Sequence, residues 1–283
     1  MGNDYVVRHG ILTAATAVYV ALNTGSDGST PGSVKVPQGR NMITRVKATF
    51  AIDGVPIVDV GNVAIIKLSG KALPSGDQEF VVGGVISQED GTSVGMSKST
   101  RKPYVKHTSI SVTAGGELTI YGSYSGTDAG SQAISVELEF SSTQRRPRNY
   151  YVRVDSMTQA TTTFALVETT SEGGTSTIVT DKNAKRIVSV DTVVVHNAAQ
   201  VETGENYVVK LSGVGMTEQE LIVGSVQTGL GAGTITDTEV HLVEPFVDNV
   251  NVAITGGNLL NVSAAYLGTD PGTPFIAIGL EVE

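Results

Sequence analysis

The sequence predicts an all-β protein made of two tandem eight-stranded jelly-roll sandwiches, a double jelly roll. Three observations carry that expectation: stretches in which apolar and polar residues alternate, a composition rich in Gly, Val, Thr, Ser and Ile, and a text that repeats after about 142 residues. Alternation is the pattern of a strand with one buried face, and 33 glycines with little helical spacing fit strands joined by turns. The repeat is plainest between "YSGTDAGSQAISVELEF" (Tyr124–Phe140) and "YLGTDPGTPFIAIGLEV" (Tyr266–Val282), identical at eight of seventeen positions.

Further segments return at nearly the same offset. "VAIIKLSG" (Val63–Gly70) recurs as "NYVVKLSG" (Asn206–Gly213), and "EFVVGG" (Glu79–Gly84) as "ELIVGS" (Glu220–Ser225). Ile43 and Val46 fall on Ile187 and Val190 at offset 144, and "YVVRHG" from Tyr5 resembles "YVRVDS" from Tyr151 at offset 146. Small drifts of this kind are loop insertions, which cost little. A period of this size is a whole globular domain, not a solenoid repeat. The expected division is residues 1–142, a linker at 143–150, and residues 151–283, with Pro147 stopping regular structure in the Arg-rich linker.

In the first half, strands are expected at 12–23, 33–37, 42–53, 62–69, 78–86, 104–113, 117–124 and 132–140. In the last of these Ile134, Val136, Leu138 and Phe140 share one face, while Ser135, Glu137 and Glu139 share the other. The second half ends in a matching set at 206–212, 219–227, 235–243, 249–255, 258–267 and 274–282. Eight antiparallel strands in some 140 residues suit a jelly roll, whose Greek keys protect the strand edges; a seven-stranded immunoglobulin-like sandwich is the rival.

Composition removes whole classes of function. With no cysteine, disulfides, thiolate metal sites and thiol catalysis are out of reach. No apolar run approaches the roughly 20 residues that span a bilayer, and "MGNDYVVRHG" lacks the basic start and apolar core expected of a secretory signal. Residues 1–142 carry 11 Lys plus Arg against 12 Asp plus Glu, and residues 143–283 carry 8 against 16. The halves therefore bear −1 and −8, and so acidic a surface disfavours sequence-specific nucleic acid as a partner. Arg145, Arg146 and Arg148 read as a solvated linker with local ion pairs.

Motifs for chemistry are weak. "GLGAGT" (Gly229–Thr234) resembles a phosphate loop, but a strand pattern follows it where a helix is needed. His9, His107, His196 and His241 show no spacing that places two metal ligands together. Glu137 with Glu139, and Asp237 with Glu239, share strand faces assigned to solvent, without the desolvating pocket a glycosidase acid needs. Gly-Thr-Asp-x-Gly occurs at 126–130 and 268–272; Asp128 and Asp270 are calcium candidates, weighed against a tight turn, which is the favoured reading. No catalytic, cofactor-binding or metal residue is assigned, no cofactor is expected, and the chain is not expected to be an enzyme.

Two tandem jelly rolls in one chain of this length resemble the double jelly-roll major capsid proteins of tailless icosahedral viruses of bacteria and archaea. The resemblance implies a homotrimer whose six barrels form a pseudo-hexagonal capsomer, neighbouring capsomers and minor capsid or vertex proteins as further partners, and a place in the virion. Many such relatives carry a terminal helix or basic tail toward an internal membrane; none is legible here, and membrane contact stays open. "KSTRKP" (Lys98–Pro103) and the linker are the basic candidates. The alternative is a secreted or cell-surface two-domain binding module, an adhesin or carbohydrate-binding protein, with a shallow site lined by Tyr121, Tyr124 and Tyr266.

Overall fold

Alternating Val, Ile and Leu build strands whose apolar faces can be covered only by another sheet. A computed structural model describes residues 3–12, 18–53, 60–87, 103–126, 131–143, 145–157, 163–170, 174–195, 203–228, 240–243, 245–268 and 275–283. The first half contributes β1 (Asp4–Leu12), β2 (Val20–Ala21), β3 (Val34–Lys35), β4 (Met42–Asp53), β5 (Val60–Ser69), β6 (Gln78–Ser87), β7 (Tyr104–Ser111), β8 (Glu117–Gly126) and β9 (Ser131–Ser141). The second contributes β10 (Asn149–Ser156), β11 (Ala165–Leu166), β12 (Ile178–Val179), β13 (Arg186–Val195), β14 (Thr203–Gly213), β15 (Gln219–Thr228), β16 (Val240–Val243), β17 (Phe246–Ala253), β18 (Leu259–Gly268) and β19 (Phe275–Val282).

These strands form four antiparallel sheets, and the described residues include no helix. In the first half the orders are β1-β9-β4-β7 and β6-β5-β8-β2, with β3 also on β8. In the second they are β10-β19-β13-β17 and β15-β14-β18-β11, with β12 also on β18. Each half is a sandwich. Ile43, Val46, Ile66, Leu118, Val136 and Leu138 meet in one core, and Ile187, Val190, Val209, Leu260, Ile278 and Leu280 in the other. Ile134, Val136, Leu138 and Phe140 are buried together, as their alternation predicts.

Strand partners show where each residue of one half stands in the other. Ile43 pairs with Phe140, then a bulge shifts the ladder so that Val46 pairs with Leu138; Ile187 and Val190 pair with Val282 and Leu280 around a bulge at the same place. β5 and β6 shift register between Ala64 and Ile65, β14 and β15 between Tyr207 and Val208. The glycines opposite, Gly83 and Gly224, have φ of 151° and 142°, a conformation that a Cβ disfavours.

One sequence alignment is corrected by a residue. Tyr5 pairs with Glu139 and Tyr150 pairs with Glu281, so Tyr5 corresponds to Tyr150, not Tyr151, at offset 145. The side chains agree. Arg8 donates to the carbonyls of Val7, Gly32 and Ser33, and Arg153 to those of Val152, Ser176 and Thr177.

Two further expectations shift. The stretch 12–23 is not one strand: Leu12 ends β1, and within the described part only Val20–Ala21 pairs. β1 escapes the alternation rule because its core-side positions include Arg8 and Gly10, where a Cβ would come 2.6 Å from Leu22. Of 235–243 the described part is β16, and it pairs with β6 of the first half, extending that sheet at its open edge.

Candidate functional site

The most elaborate constellation is the junction between the two sandwiches. The outer face of β5 and β6 presents Val63, Ile65 and Val81, which pack on Val152 and Val154 of β10, Val193 and Val195 of β13 and Ala277 of β19. Every one of these side chains is buried. The first sandwich thus uses its β6-β5-β8 sheet, and the second its β10-β19-β13 sheet. The two faces are unlike.

Polar groups frame this apolar patch. β10 is an edge strand, so alternate amides point away from its sheet and need acceptors. Gln78 Oε1 accepts from the Tyr150 N–H at 3.0 Å and Glu79 Oε2 from the Val152 N–H at 3.2 Å. Glu79 Oε1 also accepts from the Tyr19 hydroxyl at 3.0 Å. Tyr150 lays its ring on Phe80, centroids 4.7 Å apart.

Beside it Lys106 of β7 reaches across the junction. Its Nζ lies 2.9 Å from Asp191 Oδ2, 3.0 Å from Glu281 Oε2 and 3.2 Å from Ser189 Oγ. Arg148 donates to Glu281 Oε1, which also accepts from the Tyr150 hydroxyl at 3.3 Å. Glu283 receives Arg146 at 2.6 Å, Arg186 at 3.0 Å and Arg148 at 3.2 Å. The arginine run is therefore more than a solvated linker, since Arg146 and Arg148 clamp the end of β19. Arg148 also donates its amide to the Ser109 carbonyl, tying the connection to the first sandwich.

The surroundings move protonation equilibria in definite directions. Burial, then Glu281, pushes the Tyr150 hydroxyl far up, and burial with Asp191 does the same for Tyr104. Burial also raises Tyr151 and lowers the Arg153 guanidinium. Burial pulls the Glu283 carboxyl upward, but hydrogen bonds from Arg146 and Arg186 outweigh it and hold the group below its ordinary value.

The sequence-level candidates scatter. Asp128, Asp270, His196, Asp237, Glu239 and "GLGAGT" lie outside the described residues. His9 Nδ1 is 2.7 Å from Ser135 Oγ, and His107 is exposed. His241 is placed by its backbone in β16. Among the described residues no three of His, Cys, Asp or Glu gather as a metal site would require. Glu137 receives Arg45 at 2.8 Å and Lys47 at 3.7 Å; Arg45 Nε stands 3.0 Å from Glu139 without hydrogen-bond alignment.

The tyrosine site of the binding-module alternative is corrected. Tyr124 and Tyr266 are each 1% exposed and lie in different cores, because β8 and β18 turn them inward; only Tyr121 is partly exposed. They cannot line one surface site. Sequence reasoning missed Gln78, Glu79, Lys106, Asp191 and Glu281. The first two left a signal, since "QE" recurs as Gln219-Glu220 in the second half.

Two sheet faces remain uncovered by the other sandwich. On the β1-β9-β4-β7 face Tyr5 is 53% exposed where its counterpart Tyr150 is 3% exposed. On the β15-β14-β18 face Ile222 is 72% exposed where Val81 is 1% exposed. Lys210 sits over the Phe164 ring at 4.7 Å as Lys67 sits over Tyr19 at 4.2 Å, so that face too retains the layout of its twin.

No family model matches the chain, and no curated protein does. Among solved structures it is similar to a chain of Sulfolobus Turreted Icosahedral Virus, at 8% identity and TM-score 0.24, over 99% of this chain and 59% of that one. It is also similar to a chain of the T=1 Penaeus vannamei nodavirus, at 11% identity and TM-score 0.21, over 98% and 97%. A third is the CBM22-1-CBM22-2 tandem domain of Paenibacillus barcinonensis Xyn10C, at 10% identity and TM-score 0.23, over 100% and 93%. The chain thus spans about three fifths of the first of these. Scores this low fall short of a common fold, so function has to be read from the chain's own geometry.

Proposed function

We propose that this chain is a structural protein without turnover, a major capsid protein whose trimers make pseudo-hexagonal capsomers of an icosahedral virus shell. With β2 and β3 counted as one strand, β11 and β12 as one, and β16 set aside on the sheet of the first half, each half has one sheet of strands one, eight, three and six and another of strands two, seven, four and five. We read that order as the wrap of a jelly roll, and the chain as two such units divided near the Arg-rich linker.

The observation that carries the reading is the junction of unlike faces. When like faces meet, association stops at a pair; when unlike faces meet, a copy of each is left over and association continues, into a ring where the rotation closes and into an open filament where it does not. Here the first sandwich has spent its β6-β5-β8 face and keeps its β1-β9-β4-β7 face. The second has spent the face equivalent to the latter and keeps the equivalent of the former. Three chains then supply six similar edges, as a hexagonal tile needs. In this reading the protein belongs to the virion, with further capsomers and minor capsid or vertex proteins as its partners. No cofactor and no sequence-specific nucleic acid enter this role.

Native mass spectrometry and electron microscopy of the purified chain test it. Closed trimers of the 29.4 kDa chain, or shells built from them, are the expected result. A monomer at every concentration, from micromolar to millimolar, sinks the proposal.

A further inference from the structure

The duplicated ladders assign a counterpart to every group that joins the two sandwiches, and the counterparts are left on the two uncovered faces. Gln78 and Glu79 correspond to Gln219 and Glu220, because Val81 and Ile222 occupy the same place before equivalent bulges. Tyr150 and Val152 correspond to Tyr5 and Val7. The amide of His9 points away from the sheet, to the Thr24 carbonyl. By strand alternation the Tyr5 and Val7 amides point the same way, and among the described residues neither has a protein acceptor. Those amides are what Gln78 and Glu79 satisfy on β10.

The charged part of the junction is also copied, with its signs exchanged. Lys106 pairs with Val46 and Asp248 with Val190, which makes Asp248 the counterpart of Lys106. Ser189, Asp191 and Glu281 correspond to Arg45, Lys47 and Glu139. A cation facing Asp191 in one contact thus becomes an anion facing Lys47, with Arg45 beside it. Asn3 Nδ2 donates to Glu139 at 2.6 Å, as Arg148 donates to Glu281, so the acid of this set already has a partner.

We propose that Gln219, Glu220 and Asp248 of one chain seat a second copy of the same chain, capping its Tyr5 and Val7 amides and facing its Lys47 and Arg45. This contact rests on the assembly reading above and names its surfaces. Tyr5 lies on Leu221 as Tyr150 lies on Phe80, and Ile222 enters the contact as Val81 does. Asp248 faces Lys47 and Arg45, charges of opposite sign, so this contact is attractive.

Charge exchange with native mass spectrometry tests this. Asp248→Lys and Lys47→Asp each are expected to leave a folded chain, judged by an unchanged far-UV spectrum, that runs at monomer mass. The double variant restores lysine against aspartate and is expected to reassemble. Hydrogen exchange of the peptide spanning Asn3–Leu12 is expected to be slow in the assembly and fast in either single variant. Glu220→Ala loses one charge-assisted bond and is expected to weaken association about tenfold. Full assembly of both single variants, or failure of the double variant to recover what they lose, overturns the surface assignment while the capsid reading stands. A wild-type chain that never associates overturns both.

Discussion

Arg153 shows what one side chain does when its charge is spent on backbone. It is 8% exposed, and its guanidinium donates to the carbonyls of Val152, Ser176 and Thr177, holding the segment before β12 against β10. Arg153→Met removes those donors, leaving the buried Val152 carbonyl without this partner and freeing the exposed Ser176–Thr177 segment from β10. A loss on the order of 2–3 kcal/mol is expected, read from the urea midpoint of unfolding. Glu283 gives a sign for acid. Its carboxyl is held below its ordinary 4.5 by Arg146 and Arg186, so its contribution is complete above that value and is lost as pH falls through the lower folded one. Thermal melts of Glu283→Gln and the parent chain are expected to be fully separated above 4.5 and to converge only as pH falls through the lowered folded value. Tyr104 and Tyr150 act at the other end. Both are raised, so they stay protonated in the folded chain while unfolded tyrosines ionise, and stability falls as pH rises past 10. Phenolate absorbance in the folded chain should therefore miss Tyr104 and Tyr150, among others of the nine tyrosines, until unfolding releases them.

At the scale of elements, the paired bulges are the firmest sign of duplication, since they preserve backbone geometry where side chains have diverged. Gly224 stands at φ 142° with nothing within 4 Å of the place a Cβ would take. Gly224→Ala therefore meets no clash and pays only for the backbone conformation, about 1–3 kcal/mol, which denaturant titration would measure. Gly70 differs. At φ 140° a Cβ there would also lie 2.7 Å from the Glu117 carbonyl oxygen, so Gly70→Ala is expected to cost more than Gly224→Ala. Strands β4, β8 and β9 were legible within one or two residues because buried and less buried positions largely alternate along them, and β5 and β6 because they are continuous apolar runs, buried on both faces. β1 was not: an edge strand with Arg8 and Gly10 on its inner side breaks the apolar rhythm. The alternation in 235–243 was legible too, but periodicity names no partner, and the pairing of β16 with β6 depends on where the two sandwiches come to rest.

For the whole molecule the decisive interaction is Lys106 against Asp191 and Glu281, whose carboxylates are 10% and 5% exposed. Lys106→Met leaves the two acids near each other with Arg148 as the remaining cation, and breaking a pair this buried costs about 3–5 kcal/mol. Equilibrium unfolding in denaturant should show that loss. Little of this site could be read beforehand. Lys106 and Asp191 sit 85 residues apart in unremarkable strand text, and nothing local marks either one. Strand content, the inward and outward faces, and the writing of one fold twice stand in the order of amino acids, because each follows from short-range alternation or from direct comparison of two stretches. Which face of the first sandwich meets which face of the second is fixed only when the chain has folded. Face pairing depends on shape and charge summed over six strands, and Val81 buried beside Ile222 exposed shows that nearly the same local text serves either outcome.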